Sequence, residues 1–362
     1  MRKRVSIFWV STLAATAAWV PGCGLLLGVD ADRPLDPGDG GNLQADTSTS
    51  SNPGDGSTPD GKGGSGDGNV DPPRDGGDPG HDGGTCAEGT HRVGSACVAN
   101  EILTAGTKQT CRIKPDGYVL CWGDSAAGQQ RIPNTTFKQI SSSGLHICGA
   151  RTDGLASCWG SDGQGQSTPP PGTTAQLAAS GLYHSCSILA EGPRTGTAVC
   201  WGSNYYQQAE PKGGIFAQLT AGARHTCGLR PTGAVECWGN NDSGRATPPS
   251  DSFLQISAGT DHTCGVRTDG TLRCWGDPGN DRLAAPAGTF QQVVAGSAHG
   301  CALAMDGRIT CWGDNGAGQA SPPSGTFRQI AAGDRHTCAL RADGTGTCWG
   351  DNADKQAPQI MP

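Results

Sequence analysis

At 362 residues the chain can hold one large domain with additions, yet its 59 glycines, 17 cysteines and 5% aromatic residues leave too little continuous apolar surface for a helix-packed core. The net charge of −7 sits in one place: residues 30–85 carry twelve Asp and no Glu against Arg33, Lys62 and Arg74. The remainder is close to neutral and has no basic block, which argues against a nucleic-acid partner.

Arg2, Lys3 and Arg4 precede an apolar run from Val5 to Val20, too short to span a bilayer comfortably and ending at Val20-Pro21-Gly22-Cys23. Residues 1–22 therefore read as a lipoprotein signal peptide and Cys23 as the lipidated residue. A cleaved signal that leaves a free Cys23 is the plainer alternative. Setting Cys23 aside turns an odd number of cysteines into an even one, as an oxidising compartment favours. With Gly24 rather than Asp after it, the anchor implies the bacterial outer membrane or cell surface. Residues 23–85, dominated by Asp, Gly, Pro and Ser, form a disordered tether, because they cannot bury enough surface to offset chain entropy. As a coil this tether would span about 40 Å. Its carboxylates lack the alternating spacing of an ordered calcium loop, and its glycine runs lack the flanking strand and helix of a phosphate-binding loop. Across 86–100, Cys86 and Cys97 bracket Gly89 and Gly94 and are expected to close a small disulfide loop.

From residue 101 to 362 the chain repeats itself. Cys-Trp-Gly recurs at Cys121, Cys158, Cys200, Cys237, Cys274, Cys311 and Cys348, with spacings of 37 residues except for one of 42. Each of these cysteines has an earlier partner: Cys111, Cys148, Cys186, Cys227, Cys264, Cys301 and Cys338. The pairs are ten residues apart except Cys186 and Cys200, which are fourteen apart. Four residues inserted in that turn, and one more near Ala178-Ala179, account for the long repeat. In the fourth repeat, a hairpin turning at Pro231-Thr232-Gly233 sets Cys227 opposite Cys237 as a non-hydrogen-bonded pair, close enough for a cross-strand disulfide. The same register sets Leu229 against Val235 on the cysteine face, and Trp238 against the small Thr226 on the other. A third strand precedes the hairpin, as in Phe253-Leu254-Gln255-Ile256 and Phe327-Arg328-Gln329-Ile330, whereas Gly318–Pro323 is too rich in Gly and Pro for a central strand. Such units are buried on both faces and need like neighbours, so the fold predicted is all-β: a seven-bladed β-propeller of short, mostly three-stranded blades.

The pattern Ala332-Gly333 … His336-Thr337-Cys338-Ala339-Leu340 … Asp343-Gly344 … Cys348-Trp349-Gly350-Asp351-Asn352 resembles the regulator of chromosome condensation repeat family. The resemblance covers all seven repeats and independently implies a seven-bladed propeller. The repeat is shorter than in the nucleotide-exchange members of the family and is similar to that of secreted bacterial propellers that inhibit β-lactamases. The cysteine pairs depart from both groups and fit a life outside the cytoplasm, where an exchange factor has no small GTPase to act on.

Chemistry is sparse. Six histidines precede the first cysteine of their repeat by two places: His146, His184, His225, His262, His299 and His336, with Gln109 in the first repeat. A metal-binding ring on the axis is conceivable, but strand alternation points these rings between blades, where a neighbouring backbone group would hold each of them. The cysteine spacing does not suit zinc, and no nucleophile with a base stands out. No catalytic residue, metal or cofactor is assigned. The repeats disagree just before the histidine place: Lys108, Leu145, Tyr183, Arg224, Asp261, Ala298 and Arg335. Together with Tyr205 and Tyr206, which interrupt a loop elsewhere made of small polar residues, the charged and aromatic members of this ring are the candidate binding residues. The expectation is a monomeric, non-enzymatic envelope lipoprotein that touches the membrane only through its anchor and presents this rim to a protein or a glycan. Inhibition of an envelope or secreted enzyme, a propeller enzyme, and a passive envelope component are the alternatives.

Overall fold

A computed structural model describes residues 90–93, 96–99 and 102–361. The expected signal peptide, Cys23 anchor and tether lie outside these residues, as does Cys86 and with it the expected Cys86–Cys97 bond. The first two segments form a small antiparallel hairpin, Thr90–Val93 with Ala96–Ala99.

Residues 102–361 form seven three-stranded antiparallel sheets, the blades of a propeller. Their inner strands are Leu103–Ala105, Phe137–Ser143, Leu177–Ser180, Gln218–Ala221, Phe253–Ala258, Phe290–Ala295 and Gln329–Ala332. Each inner strand pairs with a central strand that begins at Gln109, His146, His184, His225, His262, His299 or His336. Each central strand pairs in turn with an outer strand ending at the glycine of Cys-Trp-Gly. In blade four the register sets Cys227 opposite Cys237, Leu229 opposite Val235 and Thr226 opposite Trp238. The Arg230 carbonyl accepts the Gly233 N–H at 2.9 Å, and Gly233 takes a positive φ of 87° to close the loop.

Seven disulfides join central to outer strands, with Cα–Cα distances of 4.0 to 4.1 Å. Each closes a small loop and stabilises its hairpin by about 2–3 kcal/mol. In the third blade the hairpin holds its expected extra residues between Ile188 and Ala198. The further extra residue does not lie near Ala178-Ala179. Ala179 pairs with Cys186 just as Thr220 pairs with Cys227, so that strand is of regular length. The addition falls in the Pro169-Pro170-Pro171 stretch, a surface connection without strand structure that absorbs one residue without disturbing a ladder.

No disulfide crosses between blades, so the ring closes through its seams. The cysteine face of one blade packs on the tryptophan face of the next: Cys227 and Leu229 share a buried cluster with Phe253, Ile256 and Trp275. Inner strands are clasped by glutamine amides that imitate a strand edge. The Gln255 amide donates to the Val293 carbonyl at 2.9 Å, and the Val293 N–H donates back to its Oε1 at 2.8 Å. Gln139, Gln218 and Gln292 repeat the clasp on Ala178, Ile256 and Ile330.

The histidines supply a third seam element, and their partners are hydroxyls of the next blade rather than backbone groups. His184 Nε2 lies 2.7 Å from Thr226 Oγ1, which itself donates to the Gln208 carbonyl at 2.8 Å. With that proton committed, the imidazole must be the donor, which fixes the Nε2–H tautomer. His146 meets Ser185 at 2.8 Å and His336 meets Thr110 at 2.8 Å in the same arrangement. His225 and His299 reach Thr263 and Thr337, each at 2.9 Å. Two seams depart from this. Where Ile147 offers no hydroxyl, blade one carries Gln109, which donates instead to Ser142 and the Gly144 carbonyl. Where blade six carries Gly300, His262 remains, and neither ring nitrogen has a partner among the described residues. Burial pushes all six imidazoles far below their ordinary value, to about 4 for His146, His299 and His336 and about 3 for His184, His225 and His262.

The last seam is completed by residues 351–361. The Gln356 carbonyl accepts both Trp122 Nε1 at 3.1 Å and Thr110 Oγ1 at 2.9 Å, joining the end of blade seven to blade one. Ala357 and Met361 are buried with Leu103, Ala105 and Trp122.

Candidate functional site

The fold makes one demand on the position before each central strand, and it is a demand on the backbone. Its carbonyl accepts the N–H of the residue after Cys-Trp-Gly in every blade: Lys108 from Asp124, Leu145 from Ser161, Tyr183 from Ser203, Arg224 from Asn240, Asp261 from Asp277, Ala298 from Asp314 and Arg335 from Asp351. These seven bonds span 2.8 to 2.9 Å. The glycine of Cys-Trp-Gly is fixed by the same contact. Gly239 has a φ of 100°, and a Cβ there would lie 2.6 Å from the Arg224 carbonyl oxygen and 2.9 Å from the Gln208 side chain. Gly239→Ala is therefore expected to cost about 2–4 kcal/mol, read as a lowered urea midpoint with an unchanged slope. An unaltered midpoint would show that the contact is loose. The variable side chains carry no such duty, which is why cation, anion, aromatic and aliphatic residues all occur there.

Several of them have neighbours of their own. Asp261 pairs with the buried Arg245 of the connection that follows blade four, so its side chain serves the seam between blades four and five. Lys108 lies 3.3 Å from Asp354 across the seam between blades seven and one, an exposed pair worth under about 1 kcal/mol. Arg224 sits with its guanidinium 5.3 Å from the ring centre of Tyr206, and Tyr206 meets Tyr205 edge to face at 4.8 Å. Arg224, Tyr205 and Tyr206 thus share one rim. Among the described residues no carboxylate pairs with Arg224 or Arg335.

The tyrosine loop is held firmly. Asn204 Oδ1 accepts the Ala209 N–H at 2.9 Å, and Gln208 Oε1 accepts the Tyr206 N–H at 2.8 Å. Gln207 takes a φ of 64° where the corresponding residue of blade six is Gly318, at 85°. Asp281 and Lys355 take the same conformation at this place in blades five and seven, so the loop follows the pattern of its neighbours and differs from them in its tyrosines, of which Tyr205 is 85% exposed. Tyr183, 42% exposed, stands on the neighbouring turn.

Two hollows complete the surface. The axial channel, about 220 Å³, is lined by backbone and small side chains such as Thr104, Ser141, Ser180, Thr220, Ser257 and Ser297, with Asp334 its one charged side chain. The histidines are fully buried in the seams and do not line it. A second hollow of about 260 Å³ opens between Lys108, Leu145, Leu182 and Tyr183. Leu145, the aliphatic member of the variable ring, and Leu182, which precedes Tyr183, are not among the candidate residues. No group of three or more histidine, cysteine or acidic side chains suited to a metal occurs among the described residues.

The family model of the regulator of chromosome condensation (RCC1) repeat matches residues 216–245, 253–282, 290–319 and 327–356, which lie in blades four to seven. No curated protein matches the chain. Among solved structures, the ectodomain of the Physcomitrella patens receptor kinase CR4 is similar at 24% identity and a TM-score of 0.60, over 69% of this chain and 73% of that one. The CRINKLY WD40 ectodomain of the Arabidopsis thaliana receptor kinase ACR4 gives 24% and 0.60, over 72% of this chain and 97% of that one. Prp20p from Saccharomyces cerevisiae, whose binding to Gsp1p and histones has been characterised, gives 15% and 0.54, over 64% and 80%. These likenesses establish the propeller fold.

Proposed function

We propose that the chain is an exported, lipid-anchored recognition module that grips a protein partner through the variable rim and catalyses no reaction. The observation that carries this is the division of labour at the rim. At the variable position the fold requires only a carbonyl, while the side chains of Arg224, Tyr205 and Tyr206 are stacked on one another in advance at the rim. Aromatic and arginine side chains held in their bound geometry lose little entropy on association. Seven disulfides suit an oxidising compartment. No helix among the described residues is long and apolar enough to cross a membrane. Attachment through Cys23 at the outer membrane would place the rim where envelope proteins can reach it, and protein binding by the similar propeller Prp20p fits this use of the fold.

The test is affinity capture on the immobilised, oxidised full chain, using envelope and culture-fluid extracts. The control is the same chain with Tyr183, Tyr205 and Arg224 changed to alanine. One saturable protein partner is expected, bound at least about 30-fold more weakly by the control, as loss of a hot-spot cluster implies. An enzyme that loses activity at a one-to-one ratio would select inhibition as the purpose of binding. Equal capture by both chains would retire the rim as the binding surface, and capture of glycan alone would replace the protein partner.

A further inference from the structure

Three consecutive members of the variable ring, Lys108, Leu145 and Tyr183, open onto one hollow, where Leu182 joins them. Leu145 and Tyr183 are two of the three uncharged members of the ring, and they stand on adjacent blades. Their carbonyls are committed to Ser161 and Ser203 at 2.9 Å each, so nothing in the backbone pattern calls for an apolar side chain at either place. At about 260 Å³ the hollow is smaller than the 300–1,000 Å³ of sites that enclose a whole small ligand, and it suits a single large side chain. Its polar edge is already balanced or acidic. Lys108 pairs with Asp354, and Asp124, which accepts the Ala126 N–H at 2.9 Å, is part of the lining.

We infer that this hollow is the anchor pocket for the protein partner of the proposed function, accepting one uncharged aromatic or aliphatic side chain between Leu145, Leu182 and Tyr183. An acidic anchor is disfavoured, because Lys108, the one cation of the lining, is already met by Asp354, and Asp124 lines the same hollow. A sugar is disfavoured, because Leu145 and Leu182 offer it no hydrogen-bonding group and the lining side chains Ser161 and Gln166 already bond each other at 3.3 Å. The inference rests on recognition at the rim but can fail without it.

The test uses the full chain with carbon-13-labelled leucine methyl groups, titrated with N-acetyl-tryptophanamide as a neutral indole probe. The Leu145 and Leu182 methyl resonances are expected to shift and saturate with Kd on the order of 1 mM, while those of the buried Leu340 stay fixed. N-acetyl-tryptophan, with the same ring and an added carboxylate, should bind at least about threefold more weakly on the charge argument. In Leu145→Asp the Leu182 shift should vanish with the Leu340 resonances in place. The pocket assignment is overturned if neither methyl moves, if Leu145→Asp still binds the indole, if the acid binds as well as the amide, or if methyl β-glucoside moves these methyls and the indole does not. A Leu145→Asp chain that still captures its partner through Arg224 and Tyr205 would likewise retire the pocket while leaving rim recognition intact.

Discussion

Lowering the pH from 6.5 to 4 should unfold the propeller, even though every carboxylate whose titration is displaced keeps its charge over most of that range. The six seam imidazoles are neutral in the fold, with values depressed to about 3 or 4, whereas in the unfolded chain they take up a proton near 6.5. The unfolded state therefore binds more protons throughout this window. Stability is complete above 6.5 and declines as the pH falls toward the folded values. Each imidazole contributes a slope of about 1.4 kcal/mol per pH unit near pH 5, so six acting together reach about 8 kcal/mol per unit. Against a total of about 5–15 kcal/mol, one or two units suffice. Asp116, Asp269 and Asp343 are held below the usual carboxylate value by hydrogen bonds from Lys114, Thr271 and Thr345, and lose their contribution only at lower pH. The measurement is a series of urea midpoints from pH 8 to pH 4. His262→Gln gives the sharpest comparison. Neither ring nitrogen of His262 has a partner among the described residues, so its replacement should remove about one sixth of the slope and leave stability at pH 8 nearly unchanged. A pH-independent midpoint, or an unchanged slope in His262→Gln, would contradict the buried neutral ring.

Ending the chain at Gly350 should abolish the closed ring. The lost segment supplies the Gln356 carbonyl that holds Trp122 and Thr110. It also carries Pro358 and Met361, bonded to Cys348 and Gly346 at 3.2 and 3.1 Å. Leaving a buried donor unsatisfied costs about 1–3 kcal/mol, and losing the apolar burial that Met361 provides about 1.5–3 kcal/mol more. Together these approach the whole stability of a domain. Near-ultraviolet circular dichroism should lose the tryptophan signal while the seven disulfides remain intact by thiol titration. Met361→Ala should lower the urea midpoint without opening the ring. A truncated chain with native spectra and an unshifted midpoint would mean that the seam closes without this segment.

Local geometry was legible in the sequence wherever a few residues along one repeat decided it. Two cysteines symmetric about a glycine turn fix the register of each hairpin, and alternation then assigns Leu229 and Trp238 to opposite faces. The seams were not legible, because their partners lie in different repeats. His184 and Thr226 are 42 positions apart. Nothing in either repeat says that a hydroxyl, rather than a carbonyl, waits across the gap. The exchange of histidine for Gln109 opposite Ile147 was visible as a departure, but its cause needed both blades. The surplus residue of the third repeat was misplaced for a related reason. Ala178-Ala179 looks dispensable in composition, whereas an extra residue there would shift the faces of a regularly paired strand and the proline run before it has no ladder to disturb. At the rim, diversity along the repeats marked a position where the fold asks for a carbonyl and leaves the side chain open. That its carbonyl is spoken for, that Tyr206 lies under Arg224, and that Leu145 and Leu182 share a hollow with Tyr183 required coordinates.

The carbonyl that each blade takes from its variable residue has a consequence for how such a molecule changes over time. A substitution there leaves the amide pattern untouched, so each blade offers one place where chemistry can be rewritten without renegotiating the architecture. Seven such places lie on one circle, and where the side chain has no ion-pair partner among the described residues, as at Arg224 and Arg335, a blade can accept a revision of its own. New specificity in such a ring can come from spelling alone, with blade number, seams and disulfides inherited intact.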